Sequence, residues 1–269
     1  MRDGSRLWGR VATEPAFALT ADQDWAPEWA VEIFLEKVAK WGQPVHIFRT
    51  NPSPLLDRAV KEGRIEQGWH PNFLPGSSHG ATVEGVVQYC QRTFPGARTV
   101  RAHCFAEDTF RMLALARAGI IADSQNGTPC QGYLLPLIHF SGILRVPVYI
   151  EDDVAVGAVD PTLKVATFRQ TLFTPGLKIL NFHPTFVGCN TPSQEHYNSV
   201  RARVFGTSEP AEGVQWEGRG TAHLFDELLG EILSAGHSFI SFHALVDEMW
   251  RAVRQSPELL PQGAVYRLT

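Results

Sequence analysis

The chain has 269 residues, 44% of them apolar, and a formal net charge of -4 from 24 basic and 28 acidic side chains. That apolar fraction supplies a full core, and the length suits a single large α/β barrel as readily as two small domains. No Lys/Arg run and no Arg-aromatic interleaving is present, which excludes the usual footprint of a nucleic-acid or anionic-membrane binder.

The opening "MRDGSRLWGRVATEPAFALT" holds no apolar signal-like region and no stretch able to span a bilayer, so a cytoplasmic setting is expected. Residues 16–22, "AFALTAD", form an apolar run ending in acid, the pattern of a buried strand that delivers carboxylates at its C-terminal end. An amphipathic helix follows, with Val31, Phe34, Leu35 and Val38 on one face and Gly42 at its C-cap. Residues 44–50 predict a second strand, "SPLLDRAVKEG" a short helix, and residues 64–70 a third strand. "TVEGVVQYCQRTFPG" then predicts a helix, residues 98–104 a strand, "DTFRMLALARAG" a helix capped by Asp108, and residues 120–124 a strand.

Residues 125–178 are less regular, with "RVPVYIE" the clearest strand, and the alternation resumes at residues 177–183. A polar stretch over 188–220, a helix over 221–235, a strand over 238–242 and a last helix over 244–254 complete the expectation. Alternating strand and helix periods with short connections imply parallel βαβ units. No repeat, heptad run or linker divides the chain, so a single barrel-like α/β domain over 1–269 is expected. Cys90, Cys104, Cys130 and Cys189 contain no C-x-x-C pair and are expected to be reduced thiols.

The unusual polar residues share one placement. Asp22, Asp24, His70, Arg101, His103, Asp123, Asp152, Asp153 and His183 all fall at or just beyond the C-terminal ends of predicted strands. In a parallel barrel those ends converge on the face where loops build an active site. Asp22 and Asp24 are placed to share one pocket, although Asp24 also suits an N-cap of the following helix. His70 and His79 enclose Pro71, Pro75 and Gly76, so the chain must turn between them. A loop folded back to the next helix would bring both imidazoles onto one ion, with Asp24 as third ligand. Two histidines and a carboxylate suit Zn²⁺, with Co²⁺ or Fe²⁺ as alternatives, and leave a position for water. Each histidine taken singly is also consistent with a satisfied core or surface residue.

Arg101 is placed to hold a carboxylate by a bidentate pair, and His183 in "LNFHPT" to serve as a general acid. Asp152 and Asp153 would tune that histidine, line the substrate pocket, or form a solvated turn. Trp25, Trp29 and Trp69 flank the candidate site, where an aromatic face suits a sugar ring as well as a core. His243 opens the last predicted helix.

The ordered set "LTADQDW", "EQGWHPN…SSHG", "VRAH" and "LNFHP" resembles the polysaccharide deacetylase superfamily of the chitooligosaccharide-deacetylase type, in a branch associated with bacterial surface polysaccharide biosynthesis. The resemblance covers about residues 16–242 and implies a distorted (β/α) barrel of about seven parallel strands. It implies that Asp22 is the catalytic base, Asp24 and His70 metal ligands, Arg101 the residue orienting the base, and His183 the acid that protonates the leaving amine. The implied reaction is metal-dependent hydrolysis of an N-acetyl or N-formyl group on an amino sugar or a sugar-linked precursor.

The sequence departs from the family pattern at three places. Gln23 separates aspartates that the family keeps adjacent. Leu74 stands where the family has its second histidine, leaving His79 as the replacement ligand and Asn72 as its rival or a substrate contact. His103 replaces a proline after the arginine, which would add a polar group to the substrate pocket. Hydrolysis of a small non-sugar amide, imide or ureide on the same scaffold is a second reading, and a metal-free sugar-binding or scaffold protein a third. Nothing in the sequence fixes an oligomeric state, and a homo-oligomer is open.

Overall fold

A computed structural model describes residues 8–159 and 163–256, so the two ends of the domain expected over 1–269 lie outside the described residues. β1 (Pro15–Asp22) is buried along almost its whole length and leads into α1 (Glu28–Trp41), which ends at Gly42 with a left-handed φ of 62°. Only a residue tolerant of that conformation closes such a C-cap cheaply. β2 (Val45–Arg49), α2 (Pro54–Lys61), β3 (Glu66–Trp69), α3 (Val83–Thr93), β4 (Thr99–Val100), α4 (Thr109–Arg117) and β5 (Ala122–Asp123) follow in the expected alternation. Ser53, Thr82 and Asp108 each cap a helix by accepting a backbone N–H, which satisfies donors the helix itself leaves open.

The remaining strands are β6 (Leu137–Ile138), β7 (Leu144–Arg145), β8 (Val148–Glu151) and β9 (Gly176–Phe182). They join one nine-stranded sheet in the order β6-β7-β5-β4-β3-β2-β1-β9-β8, parallel except for the β6–β7 pair. β7 pairs with β5 and β8 with β9, although only residues 146 and 147 separate them. A single stretch of chain therefore brings the two sides of the sheet together and curls it into a distorted barrel. Pro147 divides that stretch into two strands because it has no N–H to donate; the ladder skips it, through Val146 N to Asp123 O at 2.8 Å and Val148 N to Asn126 O at 2.8 Å. This division, with the small antiparallel β6, accounts for nine strands where about seven were expected.

Further differences follow from local chemistry. The polar stretch after residue 188 contains α6 (Gln194–Val204), which follows the short buried helix α5 (Pro184–Cys189). α6 buries only Val200 and Val204, so its periodic signal is faint. The strand expected over 238–242 is reduced to one bridge, Phe17 to Phe239, where β1 has an edge that β2 has not yet covered. Ser241 then caps the last helix, α8 (Phe242–Gln255), which follows α7 (Thr221–Ser234). The strand expected over 98–104 is reduced to two residues, and Cys104 and Phe105 beyond it take left-handed φ values of 56° and 50°. Among the described residues no helix is long and apolar enough to cross a membrane.

Candidate active site

The C-terminal ends of the parallel strands form the upper end of the barrel, and the buried polar residues of the site collect there. Asp22, the last residue of β1, is 2% exposed. Arg101 donates to its Oδ1 at 3.0 Å, and Asn181 on β9 donates to its Oδ2 at 2.9 Å. The fully buried guanidinium of Arg101 also reaches Thr20 Oγ1, Asn181 Oδ1, Ser124 O and Ser124 Oγ, and lies 4.4 Å from the Phe48 ring centroid. So many partners leave the arginine one position, and it fixes the carboxylate in turn.

Gln23 explains how separated aspartates still share a site. Its side-chain oxygen accepts from Thr50 N at 3.0 Å and Asn51 N at 3.3 Å, so the extra residue fills the gap at the end of β2. Asp24 and Trp25 then turn back with left-handed φ values of 45° and 54°. The neighbouring carboxylates result from that turn and not from strand alternation. Asp24 does not cap α1, whose N-cap is Pro27.

Asp24 Oδ1 stands 2.8 Å from His70 Nε2 and 2.8 Å from His103 Nδ1. Donor atoms of Asp24, His70 and His103 all lie within 4.8 Å of one another, a spacing able to hold a metal ion. Both ring nitrogens of His70 are buried without an aligned hydrogen-bond partner, although Nε2 lies 2.8 Å from Asp24 Oδ1. Buried polar atoms are normally satisfied, so unpaired nitrogens facing a carboxylate fit a cation between them. Burial opposes ionisation of Asp24, but His70 and His103 outweigh it and hold the carboxyl well below its ordinary range. His103 is raised in turn, as Asp24 overrides the effect of burial.

His103 therefore occupies the place expected for His79. The Pro/Gly loop does fold back, but it carries His79 to Trp25 and Tyr89; the His79 and Tyr89 rings stack with centroids 4.3 Å apart. His79 Nδ1 accepts from Asn72 N at 3.1 Å, and burial, with His70 adding to it, presses its pKa down to about 4. The helix expected from Thr82 begins at Val83, with Thr82 as its N-cap. Asn72 Oδ1 accepts from Leu74 N at 3.0 Å, so the Asn72 side chain braces the same loop.

His183, just past β9, completes the group from the opposite side. Its Nε2 lies 3.5 Å from Asp24 Oδ2 and 4.0 Å from Asp22 Oδ2. Asp152 accepts from His183 N at 2.9 Å and contacts His183 Nδ1 at 2.7 Å. Burial disfavours the imidazolium, yet the Asp152 carboxylate prevails and raises His183 well above its ordinary value. Asp152 is buried, and its carboxylate is engaged with the histidine. Asp123 is drawn away from the centre by Arg145, whose Nε lies 3.2 Å from Asp123 Oδ2. His243 lies at the other end of the barrel, against Glu66 at the start of β3.

A family model for WbmS-like polysaccharide deacetylases matches residues 19–201. The chain belongs to that family. Its structure is similar to the crystal structure of a Bordetella bronchiseptica protein described as a polysaccharide deacetylase involved in O-antigen biosynthesis. The two are 25% identical with a TM-score of 0.69, over 80% of this chain and 90% of the other. A Mycobacterium smegmatis protein described as a polysaccharide deacetylase is more distant, at 14% identity and a TM-score of 0.47, over 85% of this chain and 93% of the other. No curated protein sequence matches the chain.

In this member of the family, Asn181 and Glu151 are buried polar residues beside Asp22 that sequence reasoning missed. Asn181 bridges Asp22 and Glu151, donating to Glu151 Oε1 at 3.0 Å. Burial raises the Glu151 carboxyl well above its usual range, and the neighbouring acids Asp153 and Asp22 raise it further. The signal was available: Asn181 is a polar residue inside the buried run "LKILNF", which also holds Lys178, and a buried strand rarely carries one without a partner.

Proposed function

We propose that this protein hydrolyses an N-acyl group, acetyl or formyl, from an amino sugar on a small-molecule or glycan precursor of a bacterial surface polysaccharide, acting in the cytoplasm. The observation that carries this reading is the placement of two proton-handling groups, Asp22 and His183, around a donor set suited to a cation. Asp24, His70 and His103 would hold one divalent ion, with zinc favoured by two imidazoles and a carboxylate and cobalt or iron as alternatives. These residues would thereby supply Lewis-acid chemistry, polarisation of an acyl carbonyl and a lowered pKa of a bound water.

The protein's own residues do the rest. Asp22, held by Arg101 and Asn181, takes a proton from the attacking water as the new C–O bond forms. His183, kept protonated by Asp152, gives its proton to the sugar nitrogen as the C–N bond breaks, leaving a free amine and a carboxylic acid. Trp25, beside His103 with ring centroids 5.1 Å apart, offers an aromatic face to the sugar ring.

Release of acid and amine from a panel of N-acylated sugars, sugar nucleotides and lipid-linked sugars tests the proposal. Asp22→Asn and His183→Ala should each lower kcat by roughly a hundred- to ten-thousand-fold in a protein that is still folded and still loaded with metal. Full activity in either variant overturns the roles assigned. Turnover of cyclic imides or ureides with none on acylated sugars would move the activity to a non-sugar C–N substrate.

A further inference from the structure

We propose that His46, Glu66 and His243 form a second divalent-metal site, of the zinc type and structural in role, at the lower end of the barrel. His46 and Glu66 are register partners near the starts of β2 and β3, and His243 lies in the first turn of α8. The site is therefore at the opposite end of the strands from Asp22 and His70, and it uses none of the deacetylation machinery.

Donor atoms of the three residues lie within 4.8 Å of one another. Glu66 divides its carboxylate between the histidines, with Oε2 3.5 Å from His46 Nδ1 and Oε1 3.5 Å from His243 Nδ1. Those separations are too long for N–H···O hydrogen bonds, which cluster near 2.9 Å. Each is slightly longer than the edge, about 3.3–3.4 Å, of a tetrahedron whose centre lies about 2.0–2.1 Å from its donors, the usual zinc–nitrogen and zinc–oxygen distance.

The unsatisfied atoms point the same way. The His46 side chain is wholly buried, and its Nδ1, directed at Glu66, has no hydrogen-bond partner. Its Nε2 lies 2.9 Å from Thr99 Oγ1, the outer contact that commonly orients a metal-binding imidazole. Phe48, Phe242 and His243 wall the ring at centroid distances of 4.6, 4.9 and 4.9 Å. Glu66 and His243 retain 22% and 29% of their side-chain exposure, so a water molecule can reach a fourth position. Helix capping explains only part of the arrangement: His243 N donates to Glu66 Oε2 at 3.0 Å, which uses one carboxylate oxygen and neither imidazole. A metal here would tie the N-terminus of α8 to β2 and β3.

The experiment is zinc stoichiometry by elemental analysis, on full-length protein stripped with chelator, reloaded with Zn²⁺ and dialysed. One equivalent should disappear in His243→Ala and in Glu66→Gln, the latter keeping an oxygen able to cap α8, while activity on acylated sugars persists. His70→Ala/His103→Ala should retain one equivalent, and zinc should raise its melting temperature; adding Glu66→Gln should remove both effects. Because that background lacks the upper donor set, the result is independent of the deacetylase reading. The proposal is overturned if the His70→Ala/His103→Ala protein binds no zinc, or if Glu66→Gln and His243→Ala bind as much as the parent.

Discussion

The two ends of the barrel carry the same kind of donor set, two histidines and a carboxylate, on different scaffolds. At the upper end Asp24 Oδ1 draws His70 and His103 to 2.8 Å, and its residues sit beyond regular strands, on backbone forced into left-handed turns at Asp24 and Trp25. At the lower end the Glu66 oxygens stand 3.5 Å from His46 and His243, and His46 and Glu66 are ordinary register partners in the sheet. The ionisation of the buried histidines differs too. His183 is raised by Asp152 despite burial, whereas burial presses His46 down to about 4. One end is arranged to move a proton, the other to offer a lone pair. Strained loops at strand ends suit chemistry, and regular strands suit structural support.

The sharpest way to break this comparison is to remove the upper donors one at a time. His103→Ala and Asp24→Ala should lose the upper metal and lower kcat/KM by about ten-thousand-fold, the equivalent of about 5 kcal/mol of transition-state stabilisation. His79→Ala should keep that metal and lose far less activity, since its ring is committed to Tyr89 and the loop. Metal analysis of the three variants decides which histidine completes the set; loss of metal in His79→Ala alone would reverse the assignment.

Asp152→Asn tests the proton-bearing role of the upper end. Without the carboxylate, burial would act on His183 against only Asp153 and Asp24, and its raised pKa would fall. Less imidazolium would then be present at neutral pH, so activity should drop about ten- to hundred-fold. The alkaline limb of the pH–rate profile should also move to lower pH. An unmoved limb would show that Asp152 only positions the ring.

The difference between the ends also marks what could be read from the sequence. Strand-end placement and motif order singled out Asp22, His70, Arg101 and His183, because each stands at the end of a parallel strand, whereas Asp24 joins them through the turn at Asp24 and Trp25. His103 was assigned to the substrate pocket and His79 to the metal, since spacing cannot show that Cys104 and Phe105 reverse the chain just after His103. Nor can it show that His79 stacks on Tyr89. His46 gave no signal at all: its partners Glu66, Thr99 and His243 come from distant segments, and only the register of β2 with β3 and the docking of α8 unite them.

Gly68→Ala probes the lower end and reaches the upper one only through Phe48, whose ring packs on Arg101. A Cβ at residue 68 would come within 2.6 Å of His46 Nε2, Phe48 Cδ1 and Thr99 Oγ1. All three neighbours are buried, so overpacking should destabilise the fold by about 2 kcal/mol and displace His46 from Thr99. Chemical denaturation should show that loss, while the upper metal and the residual activity at low temperature stay near the parent's values. A neutral effect on stability would mean that the lower end is loosely packed and unfit to preset a metal site.

Lys178 supplies the contrast that both ends avoid, a buried charge without a counter-charge. It alternates with Asn181 to the other face of β9, where its Nζ donates to the Pro175 carbonyl at 3.3 Å and lies 5.3 Å from the Tyr149 ring centroid. Burial lowers its pKa from 10.5 to about 8. Below pH 8 the ammonium is charged in both folded and unfolded chains, and the fold carries the full desolvation penalty. Between 8 and 10.5 the folded protein releases the proton first, so the penalty shrinks as pH rises. Lys178→Met should therefore stabilise the protein at pH 7 by about 2 kcal/mol, at about 1.4 kcal/mol per pKa unit and allowing for incomplete desolvation. Urea denaturation at a series of pH values should show that gain fading toward pH 10.5. A constant gain would locate the effect in packing, and a loss would show that the Pro175 and Tyr149 contacts already compensate the buried charge.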